Sequence, residues 1–346
     1  MTRLIKSDSG NTPRIEAVQP DVALPGGEVD VLGVNLGAVS YRRPVAMVGE
    51  LAAPVLMSRS RRIVLRIPDE AESGRLRILQ NGAQSNSVDL AVASLLANGI
   101  HAVSSPIVDN DGNVYVTFSG SRGQETPVSV FRIERDGEMR PFLTGIMNAT
   151  GLAAGADGNI YVSSRQEGTV YRVTPSGAAS VYAEGMGVAT GIAFDAEGNL
   201  YVGDRSGTIF KIAPDRQIFV FATLEPSVAA YHLAFGIDGT LYVTGPTTSS
   251  YDALYAIDRD GATTVFYRGL GRPQGLAVDV SGAVYVAASL GGRRGVVRVT
   301  QPEDASLVIA GSGIVGFNFV PGGGAIVATH NSVYHVPLGI EGWRYF

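Results

Sequence analysis

The chain of 346 residues has no cysteine, which excludes disulfides, thiolate-held metals and a cysteine nucleophile while leaving the redox compartment open. Lysine is nearly absent too: of 27 basic residues only Lys6 and Lys211 are lysine. That skew reads as coding bias, because arginine is favoured on functional grounds only where bidentate anion or stacking geometry matters. No uninterrupted apolar run is long enough to span a bilayer, and the start MTRLIKSDSG lacks the apolar centre of a signal peptide. A cytoplasmic protein with no membrane partner is therefore expected. A formal net charge of −5 gives no footing for nucleic acid.

What is present is a repeat. The stretch GIAFDAEGNLYV from Gly191 returns as SPIVDNDGNVYV from Ser105, GLAAGADGNIYV from Gly151, HLAFGIDGTLYV from His232, GLAVDVSGAVYV from Gly275 and GFNFVPGGGAIV from Gly316. The starts lie 46, 40, 41, 43 and 41 residues apart, and a period near forty with several short apolar strands per unit is the signature of a propeller blade. Each unit reads as a tight hairpin: an alternating run, an acidic turn ending in glycine, and a second alternating run. Gly112, Gly158, Gly198, Gly239, Gly282 and Gly323 share the turn register, as a backbone at positive φ demands. Tyr115, Tyr161, Tyr201, Tyr242 and Tyr285 share a second register, which reads as packing between neighbouring blades. Runs such as GTVYRV from Gly168 and IFVFATL from Ile218 supply third and fourth strands.

Residues 12–92 differ: short strands such as EVDVLGV and RLRILQN, separated by PGG, PDEAESG and NGAQSN, with no helical period. That is the pattern of a small β-sandwich. The order PRIEAVQP, PGGEVDVLGVNL, VAMVGE, IVLRIP, RLRILQNG, QSNS resembles the immunoglobulin-like IPT/TIG family, and the resemblance implies binding or spacing, with a protein or polymer partner. Arg42, Arg43, Arg59, Arg61 and Arg62 sit in its loops, either as a solvated face or for an anionic partner. The fold class expected is thus all-β: an immunoglobulin-like β-sandwich over 12–92, then a six-bladed β-propeller of four-stranded blades over 93–346. The layout of SLLANGIHAVSS from Ser94 matches SVYAEGMGVATG from Ser180, so strand 90–97 is expected to close the ring beside the third strand of the sixth blade, leaving no open sheet edge. The alternative closure uses the terminal WRYF.

Antiparallel blades sort their loops onto two faces. The turn-glycine face is acidic through Asp109, Asp111, Asp157, Asp195, Asp238 and Asp279, which Asx-type turn chemistry explains better than a calcium loop. The opposite face carries the longer, irregular loops and is where a ligand is expected, in a funnel at the central channel. The repeat resembles the NHL-type and the regucalcin/gluconolactonase/luciferin-regenerating families. The latter resemblance implies a lactonase whose divalent metal is held by a Glu ahead of the first blade and by Asn or Asp just before later inner-strand glycines. Those positions here are Ser104, Thr150, Thr190, Tyr231, Gln274 and Val315. None is a carboxylate, so neither a metal nor any other cofactor is expected.

The ring instead offers uncharged hydrogen-bonding groups, Ser104, Thr150, Thr190, Tyr231 and Gln274, as ligand contacts, under a rim of Arg122, Arg165, Arg205 and Arg272. The rim is read either as salt bridges or as anion recognition. His232 replaces the inner-strand glycine of the fourth blade and is the candidate general base, with Asp204 or Asp252 as its orienting carboxylate. The expected function is binding of a small polar ligand, anionic or polyol-like, with metal-free lactone or ester hydrolysis as the leading chemistry. The alternative is an NHL-like protein- or polymer-binding scaffold, or a ligand sensor, with no catalysis.

Overall fold

The computed structural model describes residues 12–38, 42–121 and 123–344. All regular structure among them is β, and no helix there is long and apolar enough to cross a membrane. The chain divides into two compact units, Met1–Ser94 with Leu307–Ser312, and Leu95–Ser306 with Gly313–Phe346.

In the first unit one sheet orders Arg14–Gln19, Glu28–Val34, Arg62–Arg66 and Val55–Arg59. A second contains Val22–Ala23, Val88–Val92, Gly74–Gln80, Val45–Val48 and Leu51–Ala53. Alternation along Glu28–Val34 buries Val29 and Val31, and alternation along Gly74–Gln80 buries Leu76 and Ile78. Both sets meet in one apolar cluster with Ile63, Leu65, Val48 and Leu90, each such side chain contributing about 2 kcal/mol of burial. The segment 307–312 joins this unit through a parallel pairing of Ala23 with Ala310, reinforced by Leu24 N–H donating to Ala310 O at 2.8 Å. Of the loop arginines, Arg62 meets Asp30 at 2.8 Å and Arg61 reaches Glu16 at 3.6 Å, both in largely exposed pairs.

Among the described residues the second unit holds five four-stranded sheets, and Leu276–Val278, Val284–Leu290 and Arg293–Gln301 form a further one. Ala189–Phe194, Leu200–Asp204, Thr208–Ile212 and Ile218–Thr223 are typical, with Phe194 opposite Leu200, Leu200 opposite Ile212 and Ile212 opposite Ile218. The innermost strands Ile107–Val108, Ala149–Ala154, Ala189–Phe194, His232–Phe235, Leu276–Val278 and Ile314–Val320 each lie against the next, and the last lies against the first. Sheets in a closed ring are consistent with a propeller. The expected closing strand 90–97 is divided between two elements: Val88–Val92 belongs to the first unit's sheet, while Ser94–Asn98 lies beside Ser332–Val336 in the sheet of the last repeat. The terminal segment adds no outer strand through Arg344. Instead Trp343 N–H donates to Val278 O at 2.8 Å and Gly342 bridges to Asp279, at the ring's inner edge.

The six turn glycines all have positive φ, from 73° at Gly158 to 88° at Gly323. The repeated tyrosines pack across sheet boundaries: Tyr161 meets Phe194 edge-on at 4.7 Å and Tyr201 meets Phe235 at 5.0 Å. Three of the rings also have a polar task. Tyr115, Tyr161 and Tyr285 donate their hydroxyls to Asp109, Asp157 and Asp279 at 3.0 to 3.1 Å, and the same aspartates accept backbone N–H groups of their own turns. Burial, with Asp279 close by, pushes the Tyr285 hydroxyl up to about 12. Asp279 is itself buried. Tyr285→Phe should therefore cost about 2 kcal/mol in denaturant unfolding, because a buried carboxylate oxygen loses its donor.

Candidate functional site

The repeat's first glycine lets the inner strands approach at a neck. A Cβ on Gly151 would stand 2.3 Å from Thr190 O, and one on Gly316 would stand 2.4 Å from Ser105 Cα. Hydrogen bonds stitch the same junctions. Gly191 N–H donates to Tyr231 O at 2.8 Å, Tyr231 N–H to Thr190 Oγ1 at 3.0 Å, and Gly275 N–H to Val315 O at 3.0 Å. Ser104 Oγ donates to Thr150 O and Ser163 Oγ to Thr190 O.

On the irregular-loop side of this neck a cavity of about 330 Å³ is lined by Thr150, Thr190, Gln274, Arg165, Arg205, Arg272 and His330, with small apolar residues between them. No carboxylate lines it. Arg165 Nη2 donates to Gly120 O at 3.0 Å and Arg205 Nε to Ser227 O at 3.3 Å. Among the described residues neither Arg205 nor Arg272 has an ion-pair partner, so the salt-bridged rim is not what these two arginines form. Arg272 also sits at φ 48°, a left-handed backbone that costs a non-glycine residue about 1 kcal/mol. Arg122 lies outside the described residues. His330, a weaker candidate than His232 on sequence grounds, lies just past the strand Gly324–Thr329 and lines this cavity.

The ring hydroxyls are less available than their register suggests. Thr150 Oγ1 donates to Asn148 O at 2.9 Å, and Thr190 Oγ1 donates to Gly203 O at 2.8 Å while accepting from Tyr231 N–H. Ser104 lines a different cavity, on the turn side of the neck. Tyr231 corrects the expectation of a ligand contact: its ring is in the apolar cluster with Tyr201, Ile209 and Leu233, and its hydroxyl donates to Glu225 O. The side chain points outward along the strand boundary because Gly203 and Gly245 leave room there.

His232 is buried, hydrogen-bonded to the Gln274 side chain, and held at a pKa of about 4 by burial, so it is neutral near pH 7. Its Nε2 has no hydrogen-bond partner. The carboxylate expected to orient it is a further correction. Asp204 accepts from Val188 N–H at 2.8 Å and from Ser206 Oγ. Asp252 accepts from Thr247 N–H at 2.9 Å and Thr247 Oγ1 at 2.7 Å. Among the described residues neither carboxylate bonds the imidazole, although Asp252 keeps one buried oxygen without a partner; the group beside the imidazole is the Gln274 amide.

A divalent metal does not fit this site. The groups just before the inner-strand glycines are neutral, their hydroxyls are committed to backbone, and an ion in the funnel would stand among three guanidinium groups. The carboxylate cluster Glu134, Asp136 and Glu138 lies elsewhere, on a largely exposed hairpin turn where Arg140 binds Glu138 at 2.9 and 2.7 Å.

Against known structures, the chain is similar to a gluconolactonase from Xanthomonas campestris, with 16% identity and a TM-score of 0.57 over 70% of this chain and 88% of that one. It is also similar to a catalytically inactive form of virginiamycin B lyase from Staphylococcus aureus with quinupristin, with 14% identity and a TM-score of 0.52 over 97% and 98% of the two chains. A third is an auxiliary nutrient binding protein from Bacteroides thetaiotaomicron, with 11% identity and a TM-score of 0.54 over 94% and 98%. At these identities the likeness is one of fold. No family model matches the chain, and no curated protein matches it.

Proposed function

We propose that the second unit is a six-bladed propeller whose funnel binds a small polar organic anion. The observation that carries this reading is the convergence of Arg165, Arg205 and Arg272 on one cavity of about 330 Å³ with no carboxylate in its lining. A carboxylate or phosphate there would gain charge-assisted hydrogen bonds in a partly desolvated cleft. Gln274 and the backbone carbonyls around it suit a polyol body. The first unit is read with it as an immunoglobulin-like sandwich of the IPT/TIG kind, a binding or spacing module for a protein or polymer. A cytoplasmic location belongs to the same reading.

Lactone or ester hydrolysis is the second reading, and it rests on His232: a neutral imidazole whose orienting amide, Gln274, lines the funnel. In it Gln274 links the bound ligand to the imidazole, and no metal takes part. The fold likenesses to a gluconolactonase and a lyase make hydrolytic or eliminative chemistry worth assaying, and the likeness to a nutrient binding protein makes pure binding equally so.

Calorimetric titration with gluconate, and with its δ-lactone as the neutral counterpart, tests the first reading. Arg205→Ala and Arg272→Ala should each weaken gluconate about ten- to a hundredfold and leave the lactone within about twofold, since a desolvated charge-assisted contact contributes about 1.5 to 3 kcal/mol. Equal gluconate affinity in wild type and both variants would remove the anion site and leave an NHL-like scaffold ahead. Turnover of the lactone that persists in excess chelator and falls in His232→Asn at unchanged affinity would support the second.

A further inference from the structure

We infer that the funnel takes a linear dianion with an anionic group at each end, a dicarboxylate, with Arg165 and Arg205 holding one end and Arg272 with His330 the other. The inference deepens the anion-binding reading of this cavity and rests on it. Its ground is a register at the rim. Arg165 and Arg205 each stand four residues past the repeated tyrosine, and His330 stands four past Ile326, which holds the tyrosine's place in the last repeat. The backbone makes the equivalence concrete: Arg165 N–H donates to Asn148 O, Arg205 N–H to Val188 O and His330 N–H to Gly313 O, at 3.2 to 3.3 Å. In each case the bond ties the end of a second strand to the segment entering the inner strand of the same sheet. Ser289 N–H makes the same bond in the fifth repeat, to Gly271 O at 3.0 Å, and Arg272 follows directly, so it stands at the rim of the fifth sheet.

Six inner strands in a closed ring place the second repeat opposite the fifth and the third opposite the sixth. Arg165 and Arg205 therefore face Arg272 and His330 across the cavity that all four line. Three guanidinium groups with no carboxylate in the lining are not matched by one negative charge, and two opposed cationic pairs are both satisfied only by a ligand that is anionic at both ends. Between the pairs the wall is largely small and apolar, with Val188, Val228, Ala229 and Ala230, while Thr150 and Thr190 donate their hydroxyls to backbone carbonyls. That middle suits a neutral body, not a third charge. A phosphate would put its charges on one centre and reach one pair. Gluconate spans the two ends with its carboxylate on one pair and its terminal hydroxyl on the other, so both arginines bear on it, with one ion pair instead of two.

Calorimetry on the full chain compares dicarboxylates with the monocarboxylates of the same skeleton: glucarate with gluconate and, because the width of the funnel sets the chain length, the shorter tartrate with threonate. At least one dicarboxylate should bind at least about tenfold more tightly than its monocarboxylate, the worth of one further charge-assisted contact, and inorganic phosphate should bind no more tightly than gluconate. Arg272 and His330 are exposed, so Arg272→Ala combined with His330→Ala leaves the fold in place. That variant should bring the preferred dicarboxylate to within about threefold of its monocarboxylate, and Arg165→Ala combined with Arg205→Ala should do the same from the other end. Arginine-dependent gluconate binding with no preference for either dicarboxylate would overturn the two-ended site and leave the anion site standing. Phosphate binding more tightly than both dicarboxylates, or a preference that survives the loss of Arg272 and His330, would overturn it in the same way. Absence of binding by all five anions would remove both.

Discussion

Replacing Gly191 with alanine is expected to destabilise the second unit by about 3 kcal/mol, the upper part of the range for overpacking a closed interior. The added Cβ would stand 2.3 Å from Tyr231 O, 2.9 Å from His232 Cα and 3.0 Å from Tyr231 C. All three atoms are backbone of the neighbouring inner strand, so no side-chain rotation relieves the contact. The same carbonyl accepts the Gly191 N–H at 2.8 Å, and moving it away breaks that bond and loosens the bond from Tyr231 N–H to Thr190 Oγ1. For a unit of this size the loss corresponds to a fall in Tm of about 6 to 12 °C. Gly198→Ala is the control. Gly198 has φ 81° and nothing within 4 Å of its would-be Cβ, so it should lose only the conformational term, about 1 kcal/mol. Equal losses in the two variants would mean that crowding between strands is not what the first glycine of the repeat is for.

That contrast shows how far the sequence alone reaches. A fixed register across repeats identified the hairpin turns, because positive φ is a local demand that glycine meets locally. The same register brought Thr150, Thr190 and Gln274 to one end of the channel and Arg165 and Arg205 to one rim, since equivalent positions in equivalent strands end at equivalent places. What register does not carry is which neighbour claims a polar atom. Asp204 and Asp252 bond Val188, Ser206 and Thr247, and nothing in the sequence tells such carboxylates from free ones. Tyr231 occupies the ring position yet turns into the space left by Gly203 and Gly245, a space that exists only once an earlier strand and a later segment flank it. The tyrosine hydroxyls bonded to turn aspartates were hidden differently: a D-x-x-G-N-x-Y spacing contains both partners, as in Asp195 and Tyr201, but reads as turn plus core unless the aromatic is asked where its O–H goes. Least legible were the long-range closures, the pairing of Ala310 with Ala23 and the terminal Trp343 and Arg344 crossing to Val278, Phe319 and Val108, which no periodic signal marks.

His232 should make the protein acid-sensitive in a defined window. Its folded-state pKa of about 4 lies below the ordinary 6.5, because burial disfavours the imidazolium more than the Gln274 bond supports it. The unfolded chain therefore takes up this proton first. The histidine's contribution is complete above about pH 6.5, is lost progressively as pH falls toward 4, and changes no further once both states are protonated. A separation of about 2.5 pH units corresponds to about 3 kcal/mol across the window. Asparagine cannot titrate and keeps a side-chain amide at the same branch point, so His232→Asn should be less stable than wild type at pH 7 if the Gln274 bond is imperfectly replaced, but should show a stability curve flatter by about 3 kcal/mol between pH 7 and pH 4. Urea unfolding at half-unit pH steps on both proteins makes the comparison, with the difference between the two curves as the readout, so that carboxylate titrations common to both cancel. Parallel curves through this window would place the imidazole in contact with water at the neck, and the neutral, buried histidine on which the hydrolytic reading depends would have to be given up.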